Sequence, residues 1–88
     1  MMLHINFYTK ENCSLCVDAE ALLSTFKRDY PYELEMRDIY SNDDWLEKYQ
    51  LLIPVIEVNG KQLNCEEINY DSVKRLLKEE HEEDVGNR

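Results

Sequence analysis

Leu3-His4-Ile5-Asn6-Phe7-Tyr8-Thr9-Lys10-Glu11-Asn12-Cys13-Ser14-Leu15-Cys16 passes from the period of a strand to that of a helix, and two cysteines mark the change. From Leu3 to Tyr8 apolar and polar residues alternate, with Ile5 and Phe7 at the spacing of two that puts alternate side chains on one face of a strand. Thr9 to Asn12 is polar. From Ser14 to about Asp29, Leu15, Ala19, Leu22 and Phe26 follow the i, i+4, i+7, i+11 spacing of one helical face, widened by Cys16 and Leu23. Asp29-Tyr30-Pro31 ends that run, because a residue before proline is pushed out of the helical region.

Downstream, Tyr32 to Ile39 alternates again, with Tyr32, Leu34 and Met36 on one face and Glu33, Glu35 and Arg37 on the other. That pattern predicts a half-exposed edge strand. Ser41-Asn42-Asp43-Asp44 supplies helix-capping residue types with acids in the first turn, so a short helix using Trp45, Leu46 and Tyr49 should follow. Val55 to Val58 and Lys61 to Cys65 flank Asn59-Gly60, and both turn residues tolerate the positive φ of a type I′ hairpin. A last helix begins near Asn69 to Asp71, with Val73, Leu76 and Leu77 as its apolar stripe. The order is β-α-β-α-β-β-α: one α/β domain over residues 1–88, with a parallel βαβ unit first and an antiparallel hairpin later. His4 and Asn6 are unusual on a central strand and predict that one face there is incompletely covered.

The chemistry lies in Cys13-Ser14-Leu15-Cys16. Residues three apart on a helix have Cβ atoms roughly 5–6 Å apart, and a disulfide needs a Cα separation of about 4.4–6.8 Å, so the pair can open and close with little movement. Cys13 falls at the N-terminal end of the helix. Unpaired backbone N–H groups and the helix dipole there favour an anion by about 0.3–1 kcal/mol, up to ~2 kcal/mol when partly buried. Lys10 adds to that effect and Glu11 opposes it. The thiolate is the nucleophile, so Cys13 should be the reactive sulfur and Cys16, one turn in, the resolving one. A Cys-x-x-Cys alone is a weak signal; after a strand and opening a helix in a βαβ unit it is a good one. Two other readings exist. The pair could be buried or incidental. It could also ligate zinc with Cys65 and His4 or His81, but no second Cys-x-x-Cys is present.

At these residues the chain resembles glutaredoxin-like proteins of the thioredoxin superfamily. Phe7-Tyr8-Thr9-Lys10-x-x-Cys13-x-x-Cys16 is similar to the glutaredoxin approach to the active site, Ile53-Pro54-Val55 to the family's cis-proline segment, and Val58-Asn59-Gly60-Lys61 to the hairpin that follows. The resemblance spans nearly the whole chain. It implies a thioredoxin-like fold with a four-stranded mixed sheet flanked by helices. It also implies a thiol–disulfide oxidoreductase in which Cys13 attacks and Cys16 resolves. Lys10, Ile53 and Pro54 would be the substrate-binding residues, with a cis Ile53–Pro54 peptide and the Ile53 backbone pairing with an extended substrate. No tightly bound cofactor is implied. Substrates would be protein or small-molecule disulfides, and glutathione, another low-molecular-weight thiol or a reductase would return electrons. The chain departs from the family at Asn64-Cys65, where glutaredoxins have glycines, at Leu52, where they often have threonine, and at Ser14-Leu15 between the cysteines.

Composition bounds the partners. A net charge of −9 with no Lys/Arg cluster argues against nucleic acid and against an anionic membrane surface. No apolar run approaches the roughly 20 residues of a membrane span, and Met1 to Asn6 lacks the pattern of a signal peptide. The expectation is a cytoplasmic monomer. Three cysteines without a secretion signal argue against a structural disulfide framework. Cys65 ends a strand on the face of Leu63 and reads as packing, with a third redox cysteine as the alternative. Glu79, Glu80, Glu82, Glu83 and Asp84 read as a solvated, fraying acidic end over about residues 79–88, with an interaction tail as the alternative. The rival function is a thioredoxin-like module that docks a protein partner, or holds a bridged iron–sulfur cluster, without turnover.

Overall fold

The computed structural model describes residues 2–86, with side chains to Glu83. Strand β1 (Leu3–Thr9) leads into helix α1 (Ser14–Ser24), strand β2 (Tyr32–Asp38), a single 3₁₀ turn (Ile39–Ser41) and helix α2 (Asp43–Tyr49). Strands β3 (Val55–Val58) and β4 (Lys61–Leu63) form the hairpin, and helix α3 (Tyr70–Gly86) closes the chain. The sheet order is β2-β1-β3-β4, with β1 parallel to β2 and antiparallel to β3, and β3 antiparallel to β4. This is the thioredoxin-like order expected, with β2 at an edge.

Register assigns the two faces. Ile5 stands opposite Val58, Phe7 opposite Ile56, and Ile56 opposite Leu63, so these side chains share one face. On that face they join Ala19, Leu23 and Phe26 of the first helical segment and Val73, Leu76 and Leu77 of α3 in one buried core. Phe26 meets the Tyr70 ring at 5.1 Å, which ties the end of that segment to the start of α3. On the other face, Tyr8 stacks on Tyr49 at 4.2 Å and meets Trp45 edge-on at 5.7 Å, so α2 covers only the end of the sheet near Tyr8. The uncovered remainder carries the polar residues that looked out of place. His4 bonds to Asn6 at 3.0 Å, Asn6 donates to Glu57 at 2.8 Å, and Gln62 donates to both Glu57 and the Tyr49 hydroxyl at 2.8 Å. Side-chain hydrogen bonds, those of Glu57 with Asn6 and Gln62 running across strands, thus satisfy polar groups on this face.

Four local expectations change. The first helix stops at Ser24 rather than near Asp29. The Ser24 and Thr25 hydroxyls donate to the carbonyls of Ala21 and Leu22, and the next N–H groups turn to i−3 carbonyls (Thr25 to Leu22 at 3.1 Å, Phe26 to Leu23 at 3.0 Å). Hydroxyl competition for helical carbonyls accounts for the tightening. The buried stripe of α1 is Cys16, Ala19 and Leu23, while Leu15 is 60% exposed. Strand β4 ends at Leu63: the Asn64 side chain accepts from the N–H groups of Glu66 and Glu67 and folds the chain into a turn. Cys65 therefore sits half-buried in that turn, a free thiol whose N–H donates to Leu52 O at 3.0 Å.

The fourth change concerns the acidic end. Residues 79–86 continue α3, and residues 87–88 lie outside the described residues. Glu80 is not solvated: it is 2% exposed and accepts from Asn59 Nδ2 at 2.9 Å and Lys61 Nζ at 2.7 Å. Lys61 and Asn59 hold its carboxyl below the usual carboxylate range. An acid in a run of exposed acids thus pins the hairpin to α3.

Candidate active site

Thr9 ends β1, and the chain then turns through Glu11 and Asn12 to reach α1. Asn12 adopts a φ of 56°, a left-handed conformation that asparagine tolerates better than most residues. The turn delivers Cys13 to the N-cap of α1 in extended backbone, where its sulfur accepts the Cys16 N–H at 3.1 Å. A serine or aspartate oxygen normally takes this role; here the cap is the sulfur. The Cys13 carbonyl also takes the Val17 N–H at 3.1 Å, so the helix begins on this residue.

Cys13 and Cys16 are joined as a disulfide with their Cα atoms 5.2 Å apart, inside the range that needs no backbone movement. The two sulfurs are not equivalent in access. Cys13 is half-buried and Cys16 is 3% exposed, enclosed by the core that begins with Ala19 and Leu23. The outer sulfur is the one a large reactant can approach.

Beside the pair lies a cavity of about 620 Å³ between α1 and the edge strand β2. It is lined by Thr9 to Asn12 from the turn, by Cys13, Cys16, Val17 and Glu20 from the start of α1, and by Met36 and Asp38 from β2. Lys10 therefore shares the cavity with both cysteines. Ile53 and Pro54 do not line it: both are buried, at the base of β3 where Val55 pairs with Tyr8. The Ile53–Pro54 peptide is cis, and the Ile53 N–H is already donated to Tyr49 O at 3.1 Å. That donor is spent inside the protein, at the C-terminal turn of α2. Of the Ile53 backbone, only the carbonyl could take part in the strand pairing expected of it.

The groups a zinc site would need stand apart. His4 is on the open face of the sheet, 3.4 Å from Glu35, and His81 of α3 packs edge-on to Tyr30 at 5.5 Å. Among the described residues, no group of three or more His, Cys, Asp or Glu gathers around a common point. Also among the described residues, no helix is long and apolar enough to cross a membrane.

Beneath the site, Arg37 is held between rings. Its Nη1 donates to the Tyr8 hydroxyl at 2.8 Å, its guanidinium lies 5.1 Å from the Trp45 ring centroid, and its Nε pairs with Glu35. Arg37 and His4 hold the Glu35 carboxyl below its ordinary range. Burial raises the Tyr8 hydroxyl above its ordinary range although Arg37 opposes the rise. The cluster braces the end of β1 that carries the active-site turn. Sequence reasoning missed it, along with the cavity wall of Val17, Met36 and Asp38. Only the alternation along β2, which puts Met36 and Asp38 on the face of Tyr32, pointed that way.

Fold and site together define a thioredoxin-like α/β domain bearing a Cys-x-x-Cys disulfide at the start of a helix. The chain belongs to the glutaredoxin-like domain family (DUF836), which matches residues 4–78. Among solved structures, it is similar to mitochondrial thioredoxin 3 from Saccharomyces cerevisiae in its oxidised form, with a TM-score of 0.60 and 14% identity over 88% of this chain and 77% of that one. It is also similar to a structure described as a malarial protein, with a TM-score of 0.63 and 13% identity over 91% of this chain and 98% of that one. At such identities the likeness is one of fold.

Proposed function

We propose that this chain is a thiol–disulfide oxidoreductase that works through the Cys13/Cys16 dithiol. The observation that carries this reading is the position of Cys13: an accessible sulfur at a helix N-cap, receiving the Cys16 N–H, with a second, buried sulfur one turn away. A backbone N–H aimed at sulfur and the helix dipole both favour thiolate over thiol.

In the reduced state the Cys13 thiolate attacks one sulfur of a substrate disulfide. A Cys13–substrate bond forms and the other substrate sulfur leaves as a thiolate. Cys16 loses its proton and attacks the Cys13 sulfur, the substrate's second sulfur leaves, and the Cys13–Cys16 bond closes. Two electrons pass to the substrate, which departs as a dithiol or two thiols. A reducing thiol, such as glutathione or another low-molecular-weight thiol, or a dithiol reductase then restores the pair. Lys10, which lines the same cavity as Cys13, supplies a positive charge near the attacking thiolate.

The test is a titration in glutathione redox buffers, read by alkylation and mass spectrometry at each cysteine. Cys13 and Cys16 are expected to oxidise together as a two-electron couple between about −280 and −180 mV. A pair that forms no disulfide across that range would overturn the reading.

A further inference from the structure

Two smaller depressions adjoin the cavity at the disulfide, each sharing two lining residues with it. A second, of about 310 Å³, is lined by Val17, Glu20, Ala21 and Ser24, so it shares Val17 and Glu20 with the first. A third, of about 380 Å³, is lined by Glu11, Asp38 and Tyr40, and shares Glu11 and Asp38 with the first. Together they make a groove along the Val17-Glu20-Ala21-Ser24 face of α1, past Cys13, to the 3₁₀ turn. Helix α1 alone accounts for about 16 Å of its length, roughly five residues of extended chain.

The chemistry of the groove is uneven. Val17 is 65% and Met36 49% exposed, so an apolar side chain stands on each side of it near the disulfide. Glu11, Glu20 and Asp38 line it against one ammonium, Lys10. Among the described residues, the ion pairs are His4 and Arg37 with Glu35 and Lys61 with Glu80, and none of them includes Glu11, Glu20 or Asp38. At its far end two of them stand beside the exposed ring of Tyr40. Two carboxylates and an aromatic face suit a guanidinium or ammonium. They disfavour a small anionic thiol.

We infer that this groove selects the substrate of the proposed reaction: extended protein segments that carry a Lys or Arg next to their disulfide cysteine, with the cation seated among Glu11, Asp38 and Tyr40. The inference rests on the oxidoreductase reading. It adds a substrate class and three specificity-determining residues.

The test uses the reduced full chain and three symmetric peptide disulfides, (Ala-X-Cys-Ala)₂ with X as Arg, Ala or Glu. Each reaction turns the protein dithiol into its disulfide and the peptide disulfide into two thiols. Second-order rates are read by acid quench, alkylation and mass spectrometry. The Arg peptide is expected to react about three- to tenfold faster than the Glu peptide, the size that two exposed charge contacts provide. In the double variant Glu11→Gln/Asp38→Asn that ratio should fall towards one. Asn at position 38 keeps the oxygen that accepts the Tyr40 N–H, so the 3₁₀ turn is retained.

The overall charge of −9 also attracts cationic peptides, so a second variant, Glu33→Gln/Glu66→Gln, removes the same charge from exposed positions outside the groove. It should keep the ratio. An equal loss in both variants, or no loss in the first, would overturn the groove as the selector while leaving the oxidoreductase reading intact. If the wild-type chain reduces none of the three peptides, the oxidoreductase reading itself falls, and this inference with it.

Discussion

The Cys16 amide nitrogen lies 3.1 Å from the Cys13 sulfur and donates to it, so the two halves of the redox pair are linked by a backbone hydrogen bond as well as by their disulfide. The donor is a main-chain group. Exchanging the Cys16 side chain leaves that N–H in the chain.

A variant Cys16→Ser isolates this effect. Its Cys13 is expected to alkylate with a pH midpoint below the roughly 8.5 of an unperturbed thiol. Iodoacetamide labelling against pH, followed by mass spectrometry, reads the midpoint for Cys13 in the folded and the urea-unfolded chain. The folded midpoint should be the lower. A folded midpoint at or above the unfolded one would mean that the N-cap does not stabilise the thiolate.

The identity of the core-facing stripe on α1 gives a stability prediction. Leu23 is fully buried and Leu15 is 60% exposed, although both lie in an apolar run. Leu23→Ala should destabilise the domain by about 2–5 kcal/mol, the range for a buried leucine that leaves a cavity. Leu15→Ala should stay within about 0.5 kcal/mol. Urea unfolding measures both. Equal effects would place the helix in the wrong rotation.

That pair also shows how far the sequence could be read. Helix, strand and hairpin positions followed from period and turn chemistry, which are local. The rotation of α1 did not, because Leu15, Leu22 and Leu23 are alike in composition and only the position of the sheet decides which of them is enclosed. The cysteine pair was legible for the same reason as the helix: spacing and placement carry its meaning. The groove was not, because Val17, Met36 and Asp38 come from two elements that meet only in the folded chain. Cys65 was misplaced because Asn64, read as a strand residue, uses its side chain to end the strand.

The hairpin turn offers a test of backbone conformation free of packing. Gly60 has a φ of +82°, and a Cβ built there meets no atom within 4 Å. Gly60→Ala should therefore cost only the left-handed backbone, about 1–2 kcal/mol, less what the alanine saves by restricting the unfolded chain. A fall in Tm of roughly 4–8 °C is expected for a net cost near 1 kcal/mol in a domain this size. Gly60→Asn should cost less, since asparagine tolerates the conformation better. If alanine and asparagine are equally costly, the penalty has another origin.

Glu80 carries a pH dependence whose sign follows from its partners. Lys61 and Asn59 hold its carboxyl below the ordinary range in the folded chain, whereas the unfolded chain leaves it near the ordinary value of 4.5. A depressed folded pKa stabilises the native state above the unfolded value and ceases to do so as pH falls through the folded one. At neutral pH, Glu80→Ala should destabilise the domain by about 1–3 kcal/mol, because it removes two hydrogen bonds to a charged acceptor and the packing of a buried side chain. The gap between wild type and variant should be full above about pH 5.5 and narrow steadily below the ordinary carboxylate pKa. Thermal melts at intervals from pH 7 to pH 3 would show this. A gap that widens on acidification would mean that the buried acid is held protonated, and that the tie from the hairpin to α3 is not ionic.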